Sequence, residues 1–241
     1  MEKIEFKEIL EKELGLIGET LSKEAIEKLY EYMYIVKEWN EKINLTAIID
    51  EKEMIVKHFV DSLTIRKEIS NEDYVLDLGT GAGFPGIPLK IANESARIVL
   101  MDSLNKRIQF LNNEVIKKLE LNNIVAIHGR AEEMARQKPY REQFDVVTSR
   151  AVAALNVLME YMLPFTKVGG KCICMKGPKL EEELEDAKNA IKLLGGRIEE
   201  VKSFEIGKEK NVRKIVIIRK EKSTPKTFPR KAGMPSKEPI I

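Results

Sequence analysis

Residues 75–86, Val-Leu-Asp-Leu-Gly-Thr-Gly-Ala-Gly-Phe-Pro-Gly, constrain this chain more than any other stretch. An aliphatic run carries Asp77, then Gly79, Gly81 and Gly83 at alternate positions, and a helical composition follows. That pattern reads as a strand, a tight turn and a helix start. Glycine tolerates the backbone angles such a turn needs and lets main chain approach a nucleotide closely. Gly81-x-Gly83-x-x-Gly86 taken alone matches the dinucleotide fingerprint. Asp77-x-Gly79-x-Gly81-x-Gly83 fits S-adenosylmethionine (SAM) better. A cofactor with an amino-acid tail and no pyrophosphate needs a carboxylate near its ammonium more than a helix N-terminus. The rest of the chain has to choose.

From Tyr74 onward strands and helices alternate. The pattern predicts strands near 74–79, 97–102, 124–129, 144–149, 171–176, 197–206 and 212–220, and helices near 86–93, 105–120, 155–166 and 180–194. Alternation of this kind means a mostly parallel sheet with helices on both faces. Only Gly207 to Asn211 separate the last two strands, so those must pair antiparallel. The fold class expected is therefore α/β, and the strand order is the one associated with a Rossmann-like SAM-dependent methyltransferase fold, whereas a dinucleotide dehydrogenase would more often continue with a substrate domain. The expected fold has a seven-stranded, mostly parallel sheet with the last strand antiparallel, and a helical cap at the N-terminus. In that cap Ser22 starts a helix to about Glu41, with Ile26, Leu29, Tyr30, Met33 and Val36 on one face. Asp50 and Glu53 are placed as a capping box, with Ile49 and Met54 as its hydrophobic staple. The expected division is a helical segment over 1–70, a methyltransferase core over 71–222 and a basic, proline-containing tail over 223–241. The tail's Pro225, Pro229, Pro235 and Pro239 argue against regular structure there.

The chain has 241 residues, 43% of them hydrophobic, enough to bury a core. Its start carries charge and no apolar leader, and its aliphatic runs are only strand-length, so a cytoplasmic protein without a membrane partner is expected. Cys172 and Cys174 are the only cysteines. They alternate on one strand face as buried thiols, and no metal site is expected. Charge is uneven. Residues 208–241 hold eleven Lys and Arg against three Glu, leaving −6 on the first 207 residues of a chain whose net charge is +2. A basic end on an acidic body suggests either a localised polyanion contact or a solvated tail.

Ligands of such sheets sit beyond the carboxyl ends of the strands. The first strand offers Asp77, Gly79, Gly81 and Phe84 as the cofactor floor. The second ends in Asp102, placed to accept from both hydroxyls of a ribose. After the third come Ala131 and Glu132, along an adenine edge, though Glu132 also suits a helix N-terminus. The fourth ends in Ser149-Arg150-Ala151, where a methyl acceptor would be held. There is no Asn/Asp-Pro-Pro-aromatic motif for an exocyclic amine and no Pro-Cys pair for attack on a pyrimidine. No general base is evident at this strand end. That suits an acceptor with an available lone pair, such as purine N7, where positioning is enough. Arg150 is the group assigned to that positioning, with a strand-end ion pair as the alternative. Trp39, Asn40 and Asn44 either wall the cleft or simply close a helix, and His58 and Asp61, one turn apart, are spaced to pair.

Several motifs occur together: Trp39-Asn40-x-x-x-Asn44-Leu45-Thr46, His58-x-x-Asp61-Ser62, Gly81-Ala82-Gly83-Phe84-Pro85-Gly86, Ser149-Arg150-Ala151 and Pro229-Arg230-Lys231-Ala232-Gly233-x-Pro235. In these the chain closely resembles the bacterial glucose-inhibited division protein B family, from about residue 25 to the C-terminus. The resemblance implies SAM-dependent methylation of N7 of one guanine in the 530-loop of 16S rRNA, with S-adenosylhomocysteine as product. It implies 16S rRNA or the small ribosomal subunit as partner, and a monomer is expected. By matching position, Gly79, Phe84, Ala131, Glu132 and Arg150 would line the cofactor site with Asp102 at the ribose. Arg230 and Lys231 would meet RNA together with the Trp39, Asn40 and Asn44 segment. A methyltransferase acting on a small molecule and a catalytically silent SAM-binding module are the alternatives.

Overall fold

The computed structural model describes residues 1–150, 152–178 and 180–241. Helices α1 (Lys3–Leu16) and α2 (Lys23–Ile43) come first, followed by α3 (Glu51–Met54) and α4 (Asp61–Leu63), joined by a π-helical stretch, Ile55–Val60. Then follow β1 (Tyr74–Leu78), α5 (Gly86–Ala92), β2 (Arg97–Asp102), α6 (Asn105–Phe110), β3 (Ile124–His128), α7 (Ala131–Met134) and β4 (Phe144–Arg150). The chain ends with α8 (Leu155–Met162), β5 (Thr166–Lys176), α9 (Leu180–Leu193), β6 (Gly196–Ile206), β7 (Asn211–Lys220) and α10 (Met234–Lys237).

Among the described residues the strands form one sheet of order β3-β2-β1-β4-β5-β7-β6. β1 to β5 run parallel, and β7 is antiparallel to both of its neighbours. The short turn between β6 and β7 leaves no chain for a crossover, so β7 can only reverse. Strand order switches direction at β1, which pairs β2 on one side and β4 on the other. A crevice opens at such a switch, beyond the carboxyl ends of the strands.

Alternation along β1 sends Val75 and Leu76 into different cores. The Val75 face is covered by α1, α2 and the helices before β1, through Phe6, Leu10, Leu29, Tyr32 and Phe59, all fully buried. Leu76 faces the core built with α8 and α9. Among the described residues no helix is long and apolar enough to cross a membrane.

Local signals hold in part. The Ser22 hydroxyl accepts from Ala25 N, and α2 ends at Ile43, two residues beyond the expected stop, with Asn44 capping it in the left-handed region. Asp50 accepts from Glu53 N, but the Glu53 carboxylate pairs with Lys57, so only half of the capping box forms. The staple does not form, since Ile49 is 68% exposed. The helix after β4 stops at Met162, and the strand predicted from 171 already begins at Thr166. The tail also departs from expectation. It ends in a helical turn, α10, and Thr224, Pro229 and Pro235 are buried. Proline restricts backbone angles but does not prevent a segment from packing.

Gly83 sits at φ +108, and a Cβ there would lie 2.6 Å from Ile87 Cγ1 and 2.7 Å from the Tyr32 hydroxyl. Gly83→Ala should therefore lower the unfolding free energy by about 2 kcal/mol, combining backbone strain and overpacking. Urea melts read this directly. An unchanged midpoint would mean that the loop relaxes away from α2.

Candidate active site

The loop after β1 is held from three sides. Gly79 N and Thr80 N donate to Met101 O of β2 at 2.8 and 3.1 Å. Asp77, fully buried, accepts at Oδ2 from the Thr80 hydroxyl at 2.6 Å and from Gly86 N at 2.8 Å. From the helical layer the Tyr32 hydroxyl donates to Ala82 O at 2.5 Å. Burial pushes the Asp77 carboxyl up to about 6, partly offset by those two donors. Its Oδ1 is buried with no hydrogen-bond partner among the described residues. Gly81, at φ +61, has open space where a Cβ would stand.

Asp102 closes the next strand. Its Oδ2 accepts from Gly81 N at 3.0 Å and from Arg107 at 3.2 Å, and its Oδ1 accepts from Leu104 N at 2.9 Å. It therefore ties β2 to the glycine loop; Oδ2 already takes two donors, and Oδ1 retains a lone pair for a further one. Ala131 and Glu132 open α7 beyond β3, whose end lies level with Asp102. Glu132 Oε1 accepts from Gly233 N of the tail at 2.9 Å. An open glycine, an orphaned buried carboxylate oxygen and a carboxylate at the end of β2 together fit an adenosyl cofactor with an amino-acid tail.

Arg150 ends β4 and is the most highly fastened side chain of the site. One terminal nitrogen donates to Lys57 O and to Asp61 Oδ2, each at 3.0 Å, and the other donates to His58 Nδ1 at 3.1 Å. Its guanidinium carbon stands 5.1 Å from the Phe84 ring centre, and His58 stacks on the same ring at 4.3 Å. Because Arg150 can only donate, His58 Nδ1 is the acceptor and Nε2–H donates to the Thr46 hydroxyl at 2.9 Å. Burial, reinforced by the adjacent Arg150 charge, holds the His58 ring down at about 3. Asp61 bonds Arg213 as well, at 3.2 Å, and burial pushes its carboxyl up against the pull of both arginines. The expected His58–Asp61 pair is thus replaced by a shared partner, Arg150. One turn of helix places the two side chains side by side, and the guanidinium fits between them.

Arg150, His58 and Asp61 line a cavity of about 730 Å³ whose wall also carries Lys57, Lys176, Arg213 and Lys214. Ala151, named in the sequence motif, lies outside the described residues.

The other expected positions fall elsewhere. Trp39 packs on Phe110 with ring centres 5.8 Å apart, under the Lys42 ammonium. The Asn40 side-chain oxygen accepts from Leu45 N and Thr46 N at 2.6 and 2.8 Å, shaping the turn that delivers Thr46 to His58. Asn44 is the left-handed residue closing α2. Arg230, expected to face RNA, donates three hydrogen bonds from its guanidinium to Glu160, which is 1% exposed, while Lys231 beside it is exposed. Among the described residues, six of the eleven C-terminal cations have a carboxylate partner: Lys210, Arg213, Lys214, Arg219, Lys220 and Arg230. The sequence count therefore overstates the charge offered to a polyanion. Tyr32 and Arg213 were missed. Tyr32 lies on the apolar face of α2, where periodicity marks every residue as core, and Arg213 is invisible within a run of basic residues.

The described residues hold no cluster of three or more side chains able to bind a metal ion. Cys172 and Cys174 are both buried, and burial raises the Cys172 thiol to about 11.

Residues 25–213 match the family model for rRNA small subunit methyltransferase G. The protein of that name from Alkaliphilus oremlandii is 49% identical over 239 residues, covering 98% of this chain and all of the relative. Its counterpart from Desulforamulus reducens is 53% identical over 218 residues, 90% of this chain and 89% of the relative. Among solved structures, P. horikoshii TYW2 in complex with MeSAdo shares the fold, with a TM-score of 0.53, 17% identity, and coverage of 67% of this chain and 62% of that one.

The neutral His58 gives the site a pH signature. Its native value of about 3 lies below the ordinary 6.5 of the unfolded chain. Unfolded chains bind the extra proton between those values, so this stability is fully present above pH 6.5 and is lost as pH falls toward 3. Gln at 58 keeps an acceptor for Arg150 without titrating. The stability of the wild type relative to His58→Gln should drop by about 2 kcal/mol from pH 7 to pH 5, at about 1.4 kcal/mol per unit. Urea unfolding of both proteins at the two pH values checks this. A constant difference would mean that His58 titrates as it does in the unfolded chain.

Proposed function

The chain belongs to the rRNA small subunit methyltransferase G family, and we propose that it carries methyl from SAM to N7 of one guanine in the 530-loop of 16S rRNA. It is a SAM-dependent rRNA methyltransferase. SAM supplies an electrophilic methyl group on a sulfonium. In our reading the glycine loop from Gly79 to Phe84, with Gly81 at its open point, holds that cofactor together with Asp77, Asp102, Ala131, Glu132 and Arg150. The orphaned Oδ1 of Asp77 is the acceptor we assign to a cofactor donor.

The observation that carries the N7 assignment is the state of the groups at the end of β4. His58, the nearest imidazole, is held neutral but gives its basic nitrogen to Arg150. Asp61 accepts from two arginines. Neither is free to take a proton, which supports an acceptor that has none to lose. Guanine N7 presents an in-plane lone pair, so placing it in line is the main requirement. Of the five N–H donors of Arg150, three are used by Lys57, Asp61 and His58. The other two we assign to guanine O6, which adjoins N7 on the same edge of the base.

Lys57, Lys176, Arg213 and Lys214 stand in the wall of the cavity beside Arg150, each paired with a carboxylate (Glu53, Glu183, Asp61 and Glu181) that an incoming phosphate would have to displace. The target base must leave its stack to enter, which a loop permits at small cost. Lys231 and the Trp39, Asn40 and Asn44 segment are our further candidates for rRNA contact. Such contacts make binding salt-dependent. A ribosomal substrate would also support a cytoplasmic location.

The test is transfer of labelled methyl from SAM to 16S rRNA and to 30S particles from cells lacking this gene, with the modified base mapped. A 7-methylguanine in the 530-loop is expected. Transfer to no RNA, with SAM still bound, would refute the reading. Arg150→Ala should reduce transfer by about 100-fold or more, with the circular dichroism spectrum retained. Undiminished transfer would remove Arg150 from the reacting centre.

A further inference from the structure

The tail is a strap, and its bonds converge on a residue of the cofactor site. Arg141 donates to Thr224 O and Phe228 O at 2.8 and 2.9 Å, and Arg136 donates to Thr227 O at 3.2 Å. Thr224 N donates to Glu142 at 2.7 Å. These bonds lay the segment across the region between β3 and β4. Arg230 then anchors on α8. Its backbone N–H donates to Glu160 Oε1 at 2.6 Å, and its guanidinium grips both carboxylate oxygens. Three residues later Gly233 N donates to Glu132 Oε1. Beyond it the Tyr161 hydroxyl meets Ser236 at 2.9 Å.

Glu160 is buried, so its charge requires a partner, and Arg230 is the cation that supplies one. A planar guanidinium held on both carboxylate oxygens fixes direction as well as distance. The strap therefore reaches Glu132 with its register set at Arg230. Gly233, at φ +83, turns the main chain there. One oxygen of Glu132 is tied to the strap, and the carboxylate is thereby oriented.

We infer that the C-terminal strap, anchored by Arg230 on Glu160, positions Glu132 for the cofactor, so that Arg230 is a positioning residue for SAM and not an RNA contact. This rests on the reading of Glu132 as a cofactor residue. It distributes the tail's work between adjacent residues: Arg230 points to the protein, and Lys231 is left exposed for RNA.

The experiment measures SAM affinity by calorimetry and the KM for 30S particles, in the full-length chain and in four variants. Arg230→Ala should weaken SAM about tenfold, equivalent to about 1.4 kcal/mol, leave kcat at saturating SAM near wild type, and leave the KM for particles unmoved. Arg230→Lys should recover part of that loss. Glu160→Gln keeps the shape of the anchor and removes its charge. It should weaken SAM in the same direction, and it supplies the answer if Arg230→Ala does not fold. Glu132→Ala should weaken SAM at least as much. A raised KM for particles with unchanged SAM affinity in Arg230→Ala would overturn the inference and return Arg230 to the RNA face. Weak SAM binding in Glu132→Ala alone would overturn the coupling but keep Glu132 at the cofactor. Unchanged SAM affinity in Glu132→Ala would refute that underlying reading, and the inference with it.

Discussion

Asp77 stands fully buried at the end of β1, and both hydrogen bonds accepted by its Oδ2 return to the loop that follows. Thr80 lies near the start of that loop and Gly86 at its end, so one carboxylate closes the loop on itself. A buried carboxylate is costly unless its lone pairs are satisfied. The loop must therefore hold its shape for Asp77 to be tolerated, and Asp77 must be present for the loop to hold. Gly83 and Gly86 complete the arrangement, since a Cβ at Gly86 would stand 2.2 Å from Leu100 Cδ2 and 2.8 Å from the same carboxylate. Everything proposed for the cofactor depends on this closure.

The second dependence runs from the helical layer into the site. Tyr32 reaches the glycine loop, Phe59 joins Tyr32 and Phe84 in one aromatic cluster, and Phe84 in turn carries His58 and Arg150. The helices before β1 are thus a wall of the site as well as a cover for the sheet. Arg150 shows what that wall does. Its charge is compensated by Asp61, which opens α4, and its direction is set by Lys57 O and His58 from the segment between α3 and α4. A π-helical stretch in that segment carries Lys57 and His58, and such stretches recur at functional sites.

The basic end of the chain illustrates how composition misleads. Eleven cations in 34 residues suggest a polyanion arm. In the fold, Lys220 is buried, with its ammonium on Leu163 O and Thr224, and burial lowers it to about 8. Arg213 helps hold Asp61, and Arg230 holds Glu160. Charge counts register sign but not partners, and these partners lie up to 152 positions away in sequence.

The glycine pattern, the alternation of strands with helices and the short β6–β7 turn were legible in the sequence, because each is a local constraint. Backbone angles, side-chain period and loop length act over a few residues and leave a mark at fixed spacing. Asp77, Asp102 and Arg150 could be placed at strand ends for the same reason. What Arg150 touches, which carboxylate receives Arg230, and that the tail returns to Glu132 were decided only by tertiary structure. Those contacts depend on packing angles and on the mutual burial of charges far apart in the chain. Charges of that kind are tolerated only when a partner arrives with them, and no local pattern records which partner it will be.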